Sequence, residues 1–142
     1  MANFVYNRAA KRMLNGEILP GTHTFKLMLI NSGYTPDRDH DFVSSGAGTV
    51  GGNEIVATNY AGGFGGAGRH ALASPAWTES DALDAAVLDA NDPATWASLG
   101  GATNDTIVAA VLITETGAAD DSDTELIAGT TVEYAGFDSR VT

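Results

Sequence analysis

Two hydrophobic periods divide this chain. From Asn3 to Asn15 the period is helical: at about 100° per residue, Tyr6, Ala9, Ala10, Met13 and Leu14 gather on one side and Arg8, Lys11 and Arg12 on the other. Asn3 is placed to cap that helix, and Gly16 to take the left-handed conformation that ends it. Phe4 falls among the cations, as a fraying end or as an apolar contact for a partner. Beyond Gly16 the helical period disappears.

The rest of the chain reads as short strands. Thr24 to Ile30 (TFKLMLI) alternates Phe25, Leu27 and Leu29 against Lys26, Met28 and Ile30. Asn31 to Phe42 is a polar loop marked by Gly33 and Pro36. Residues 44–68 hold more than half of the 17 glycines and one short strand candidate, Glu54 to Thr58, so this region predicts turns or a mobile surface loop. Arg69 to Thr78 reads as a strand pair broken by Pro75, and Asp84 to Asp89 as a core strand. Thr106 to Thr114 (TIVAAVLIT) is apolar enough to be buried on both faces. Thr124 to Tyr134 predicts a last strand or hairpin, with Gly129 as a bulge or turn. The expected fold is mainly β: an antiparallel β-sandwich or jelly-roll-like domain with one N-terminal amphipathic helix. The 142 residues fit a single domain spanning 1–142, with the helix at 1–16 and the Gly-rich region at 44–68.

Composition narrows the function. Zero cysteines exclude a disulfide framework, a cysteine zinc site and a thiol nucleophile. The longest apolar runs, Leu27 to Ile30 and Ile107 to Ile113, fall far short of the roughly 20 residues of a membrane-spanning helix. No apolar segment of signal-peptide type follows the N-terminus, so the expectation is a soluble protein made in a cytoplasm. The net charge of −11 is unevenly spread. Residues 1–26 set Arg8, Lys11, Arg12 and Lys26 against Glu17, which is +3; the remainder is −14. Such an acidic body does not bind a nucleic-acid backbone, which needs clustered cations.

No constellation in the chain reads as catalytic. Gly46 to Gly51 and Gly63 to Gly68 both match G-x-G-x-x-G, but neither stretch has the strand before and helix after that a dinucleotide site requires. Asp37, Asp39 and Asp41 alternate like the start of an EF-hand loop; Phe42 and Gly48 then stand where its glycine and bidentate glutamate belong. The three aspartates read as a solvated acidic loop, with a looser calcium site as the alternative. Asp120, Asp121, Asp123 and Glu125 read as the polar tip between two strands. His23, His40 and His70 are too dispersed for a ligand pair, and no G-x-S-x-G occurs. Trp77 and Trp96 read as core or sheet-face residues, each indole N–H finding a carbonyl, with an interface anchor as the alternative. The reading is a non-enzyme without a cofactor or metal.

Four stretches in order, Asn3 to Ile18 (NFVYNRAAKRMLNGEI), Phe25 to Phe42 (FKLMLINSGYTPDRDHDF), Leu88 to Ser98 (LDANDPATWAS) and Ala109 to Ile127 (AAVLITETGAADDSDTELI), resemble a family of small structural proteins of tailed bacteriophages. The resemblance implies a capsid decoration, or cement, protein: a β-sandwich or jelly-roll homotrimer on the outer surface of the head, with the major capsid protein as partner and no nucleic acid or membrane. It implies that the basic N-terminal region faces the shell, which makes Phe4, Arg8, Lys11 and Arg12 the candidate capsid contacts. A phage tail or fibre-associated protein is the alternative, and a small carbohydrate-binding β-domain or hydrolase a further one. The last strand is expected to leave an open outer edge for a neighbouring subunit to pair with.

Overall fold

The computed structural model describes residues 4–44, 48–91, 95–100, 105–115 and 117–131. Antiparallel strands dominate, with one short helix. Strands β1 (Phe4–Val5), β2 (Phe25–Ile30), β3 (His70–Ala71), β6 (Ala109–Thr114) and β7 (Glu125–Thr131) form one sheet in the order β1-β7-β6-β2-β3; β4 (Ala73–Ser80) and β5 (Ala85–Asn91) form a separate ribbon. The helix α1 (Asn7–Leu14) lies between β1 and β2 in the chain.

The sheet is organised around β6. Its apolar run pairs with β2 from Phe25↔Thr114 to Ile30↔Ala109 and with β7 on its other side. Met28, Ile30, Val111, Ile113 and Leu126 join Tyr6, Ala9 and Ile18 in the main core. Leu29 and Ala110 pack with Ile55, Tyr60 and Leu99 in a second cluster. Strand β6 therefore contributes to two cores, as the unbroken run of apolar residues implied. It begins at Ala109, however, three residues later than the pattern predicted.

The helix also starts later than its amphipathic pattern. Phe4 and Val5 form a strand against Gly129 and Ala128, and Tyr6 N–H donates to Ile127 O at 3.0 Å. Asn7 N–H donates to Arg38 O at 3.0 Å. The first N–H groups of a helix have no partner within it; the sheet and the 31–42 loop satisfy these groups instead. Asn3, the expected cap, lies outside the described residues, and Tyr6 precedes the helix without a side-chain cap. The C-terminus is as expected. Gly16 takes φ +70°, its N–H reaching Met13 O and that of Glu17 reaching Arg12 O, the two bonds of a Schellman ending.

Gly129 is neither bulge nor turn. It stays within β7 because the Phe4 ring lies on it, where a Cβ would stand 2.8 Å from Phe4 Cζ. The extra residue of the β6–β7 ladder is Ile127: Leu112 pairs with Ala128, and Ile113 with Leu126. The expected open edge is also absent from the described part of β7. Phe4 to Tyr6 cover its upper half, while Leu126 N–H donates to Asp41 O and Val43 N–H to Thr124 O along its lower half.

Two expected strands behave differently. Glu54 to Thr58 make only isolated bridges, Glu54 to Ile30, Ala57 to Tyr60 and Thr58 to Gly100, beside a 3-10 turn at Gly51–Asn53. The segment expected as a core strand, Asp84 to Asp89, belongs to the exposed ribbon. It pairs with β4 alone, and Leu88 is its contact with the main core. The break in the preceding strand pair falls between β3 and β4, and Pro75 sits inside β4 at a register shift between Ala73 and Ala76. Trp77 follows the ribbon and is 42% exposed, not buried in the core.

Three tyrosines place hydroxyls inside. Tyr6 Oη lies 3.0 Å from Tyr34 Oη, and Tyr60 Oη donates to Glu54 Oε1 at 2.8 Å while accepting Leu29 N–H. Burial pushes all three phenols above their ordinary pKa, with the Tyr34 contact adding at Tyr6 and the Glu54 charge adding at Tyr60. An unfolded chain would release these protons first, near about pH 10. The stabilisation is therefore complete below that pH and is lost as pH rises above it. The urea midpoint should fall on the alkaline side of about pH 10, and less steeply in Tyr6→Phe. A midpoint that holds steady well above that pH, followed by tyrosinate absorbance, would contradict the burial.

Candidate functional site

The four candidate contacts lie on two elements. Phe4 is on β1, half-buried, edge-on to Tyr6 at 4.9 Å between ring centroids. Arg8, Lys11 and Arg12 are on α1. Arg8 and Arg12, one turn apart, both turn to Glu125 at the start of β7. Arg8 Nε donates to Glu125 Oε1 at 2.9 Å, and Arg12 Nη1 pairs with Glu125 Oε2. The Glu125 side chain is only 4% exposed. Arg8 also stacks over the Phe42 ring at 4.8 Å, and Arg12 Nε reaches Glu17 at 2.9 Å. Hydrogen bonds from Asn15 and then Arg12 hold the Glu17 carboxyl below its ordinary range. Glu125 is thus no part of a polar tip. It is a buried carboxylate that pins the helix to the sheet, and two of the expected contacts serve that pin.

Lys11 is exposed, and among the described residues neither it nor Arg38 has a carboxylate within ion-pair distance. Arg38 instead lies over the Phe4 ring, 5.7 Å from its centroid. Lys26 pairs with Glu115 at 2.7 Å.

A second constellation closes the Gly-rich region. Arg69 is wholly buried and grips two carboxylates at once. Nε and Nη2 donate to Glu54 at 2.9 and 2.7 Å; Nη1 and Nη2 donate to Asp121 at 2.6 and 3.0 Å. Glu54 also accepts Tyr60 O–H and the Gly63 N–H at 2.8 Å each. Burial alone would lower the Arg69 pKa, but the hydrogen bonds to Glu54 and Asp121 outweigh it, and the pKa rises. The guanidinium stays charged.

This pin turns the glycines into defined turns. Gly63 and Gly65 take φ +82° and +71°, and a Cβ at Gly66 would collide with the Ala61 and Gly62 carbonyls. Gly66 N–H donates to Gly63 O and Gly68 N–H to Ala61 O, so these amides point into the loop itself. The other G-x-G-x-x-G begins at residues outside the described ones. Trp96 Nε1 donates to Gly68 O at 2.6 Å, and its ring stacks on His70 at 4.6 Å. This indole finds the expected carbonyl.

The acidic clusters serve the backbone. Asp37 Oδ1 accepts Asp39 N–H, Asp39 Oδ1 accepts Asn7 Nδ2, and the Asp41 carbonyl bonds β7. Asp123 accepts the N–H groups of Ala119 and Asp120. Among the described residues, no three His, Asp or Glu side chains are arranged to hold a metal. His40 lies 3.1 Å from Tyr34 Oη, and His23 Nδ1 bonds within its own turn, to Leu19 and Thr22.

Sequence reasoning missed Arg69, Glu54 and Asp121 as a unit. The available signal was isolation: Arg69 is the sole Lys or Arg between Arg38 and Arg140, at the end of the glycine run. No protein-family model matches this chain, and neither a curated protein nor a solved structure gives a significant match.

Replacing Arg69 with Met leaves Glu54 buried and unpaired. The expected cost is about 3–5 kcal/mol, read from denaturant unfolding, with faster amide exchange across residues 60–69. Unfolding at the wild-type midpoint would mean that the pin carries no structural load.

Proposed function

We propose that this chain is a structural virion protein of a tailed bacteriophage, a decoration or cement protein that binds the outside of the assembled head. The observation that carries the reading is the ordered set of four resembling stretches. Three of them supply α1, β2 and the β6–turn–β7 unit, the elements that build the main core. The mainly antiparallel β architecture supports the same reading, and the finer sandwich or jelly-roll arrangement belongs to the proposal. So do the homotrimer and the major capsid protein as partner.

In this reading many modest contacts act together, and avidity across the lattice substitutes for one strong site. The acidic surface keeps filled heads apart. The shell contact falls on the outer side of α1. There Lys11 offers a charge not neutralised within the described chain, whereas Arg8 and Arg12 are engaged by Glu125.

Electron cryomicroscopy of purified particles tests the location: density for this chain is expected on the outer head surface, and density confined to the tail would sink the assignment. The charge test separates gripping from folding. Lys11→Glu should lower head occupancy several-fold at an unchanged melting temperature, because exposed charge changes cost little stability. Arg12→Glu should lower both, because it sets a third carboxylate beside Glu17 and Glu125. Full occupancy by Lys11→Glu, measured by band ratio on purified heads, would remove Lys11 from the contact.

A further inference from the structure

Among the described residues the β4–β5 ribbon has two strands and no third, an arrangement that is marginal in water by itself. Its two outer edges differ. That of β4 is guarded by Pro75 and by the register shift between Ala73 and Ala76. That of β5 carries neither proline nor lysine from Ala85 to Leu88. In an antiparallel pair every second residue turns its N–H and C=O away from its partner. Along β5 those groups point to the outer edge, where no described strand receives them.

Beside that edge lies a groove of about 480 Å³. One wall is β5: the consecutive residues Ala86, Val87 and Leu88 all line it. Consecutive side chains point to opposite faces of a strand, so the groove meets β5 along its edge. The floor is one row of the large sheet. Leu27 stands opposite Leu112, Leu112 opposite Ala128, and Ala128 opposite Val5, which puts all four side chains on one face. Val5, at the end of the row, is 42% exposed. No charged residue lines the groove. Charge enters at the ends of the apolar run of β5, where Asp84 and Asp89 bracket Ala85 to Leu88. Among the described residues neither has a Lys or Arg within ion-pair distance. A backbone edge open to a strand, an apolar floor and two flanking acids are thus side by side.

We propose that this slot takes an extended segment of another protein, added as a third strand beside β5. The segment sets apolar side chains on the Val5–Leu112 row and a Lys or Arg at each end against Asp84 and Asp89. Backbone hydrogen bonds supply the attachment and the alternating side chains the selectivity, as in strand addition generally. The β5 edge of a second copy does not fit. Antiparallel pairing of the two Ala85–Leu88 runs puts each Asp84 directly opposite the other copy's Asp89, and in-register parallel pairing puts Asp84 beside Asp84. Like charges so placed are destabilising. Beyond Lys26 the cations of this chain are Arg38, Arg69 and Arg140, too scattered for one short segment to carry two. The inference goes beyond the head assignment and is tested on the isolated chain, so either can fail without the other.

The test titrates labelled peptides against the full chain. All share an alternating Val-Thr core; one is bracketed by Lys, one by Glu, and a third is bracketed by Lys but broken by a central Pro, which cannot complete a strand ladder. Fluorescence anisotropy should show saturable binding of the Lys-bracketed peptide and binding weaker by about tenfold or more for the other two. Amide exchange should slow at residues 85–88 in the complex. Asp84→Asn/Asp89→Asn should weaken the Lys-bracketed peptide by roughly fivefold at an unchanged melting temperature, since Asn tolerates the φ of +46° at position 84. The proposal is overturned if the Lys-bracketed peptide does not bind, if the Glu- or Pro-containing peptide binds as well, if protection falls away from β5, or if the Asn variant binds as tightly as wild type.

Discussion

The Arg69 guanidinium, held between Glu54 and Asp121, is the interaction on which the second half of the molecule depends. Glu54 follows the 3-10 turn beside β2, Asp121 lies in the turn between β6 and β7, and Arg69 leads into β3. One side chain thus joins three segments far apart in sequence. Taking these charges out of water is expensive, and such a cluster need not add net stability over an apolar substitute. What it supplies is uniqueness. A glycine-rich segment has many accessible backbones, and the bidentate geometry of the guanidinium accepts few of them.

The same logic governs the other end of the protein. A chain with 18 acids and 7 Lys or Arg residues has few cations to place. Four of them, Arg8, Arg12, Lys26 and Arg69, are engaged by carboxylates within the chain. The basic N-terminal segment is therefore less a free positive surface than an internal fastening, with Glu125 as its socket. Among the described residues Lys11 on α1 and Arg38 over the Phe4 ring have no carboxylate within ion-pair distance.

Much of the sheet was legible in the sequence because its signals were local and repeated. TFKLMLI and TIVAAVLIT have no other satisfactory arrangement than strands, and Gly16 ends the helix for a backbone reason that needs no tertiary information. The misreadings share a cause. Phe4 and Val5 adjoin the helical pattern, but their backbone partners are Gly129 and Ala128, which no local window contains. Asp84 to Asp89 has the composition of a buried strand, and only the absence of a covering layer among the described residues leaves it in an exposed ribbon. Glu125 sits at the end of an acidic run, and its partners are more than a hundred residues away. The chemistry of these residues was visible; their neighbours were not.

The seam between β1 and β7 has a consequence for how the protein is made. Phe4 and Val5 leave the ribosome well before Gly129 and Ala128, and close the sheet only when those residues have followed. Until then the Phe4 ring, half-buried in the finished fold, and the Tyr6 side chain, buried completely, have no native strand to rest on. Contacts of this separation are slow to form because the chain must first give up the entropy of the loop between them. The nascent chain is thus at its most adhesive just before Ala128 and Gly129 emerge, when many ribosomes on one message hold copies of it side by side.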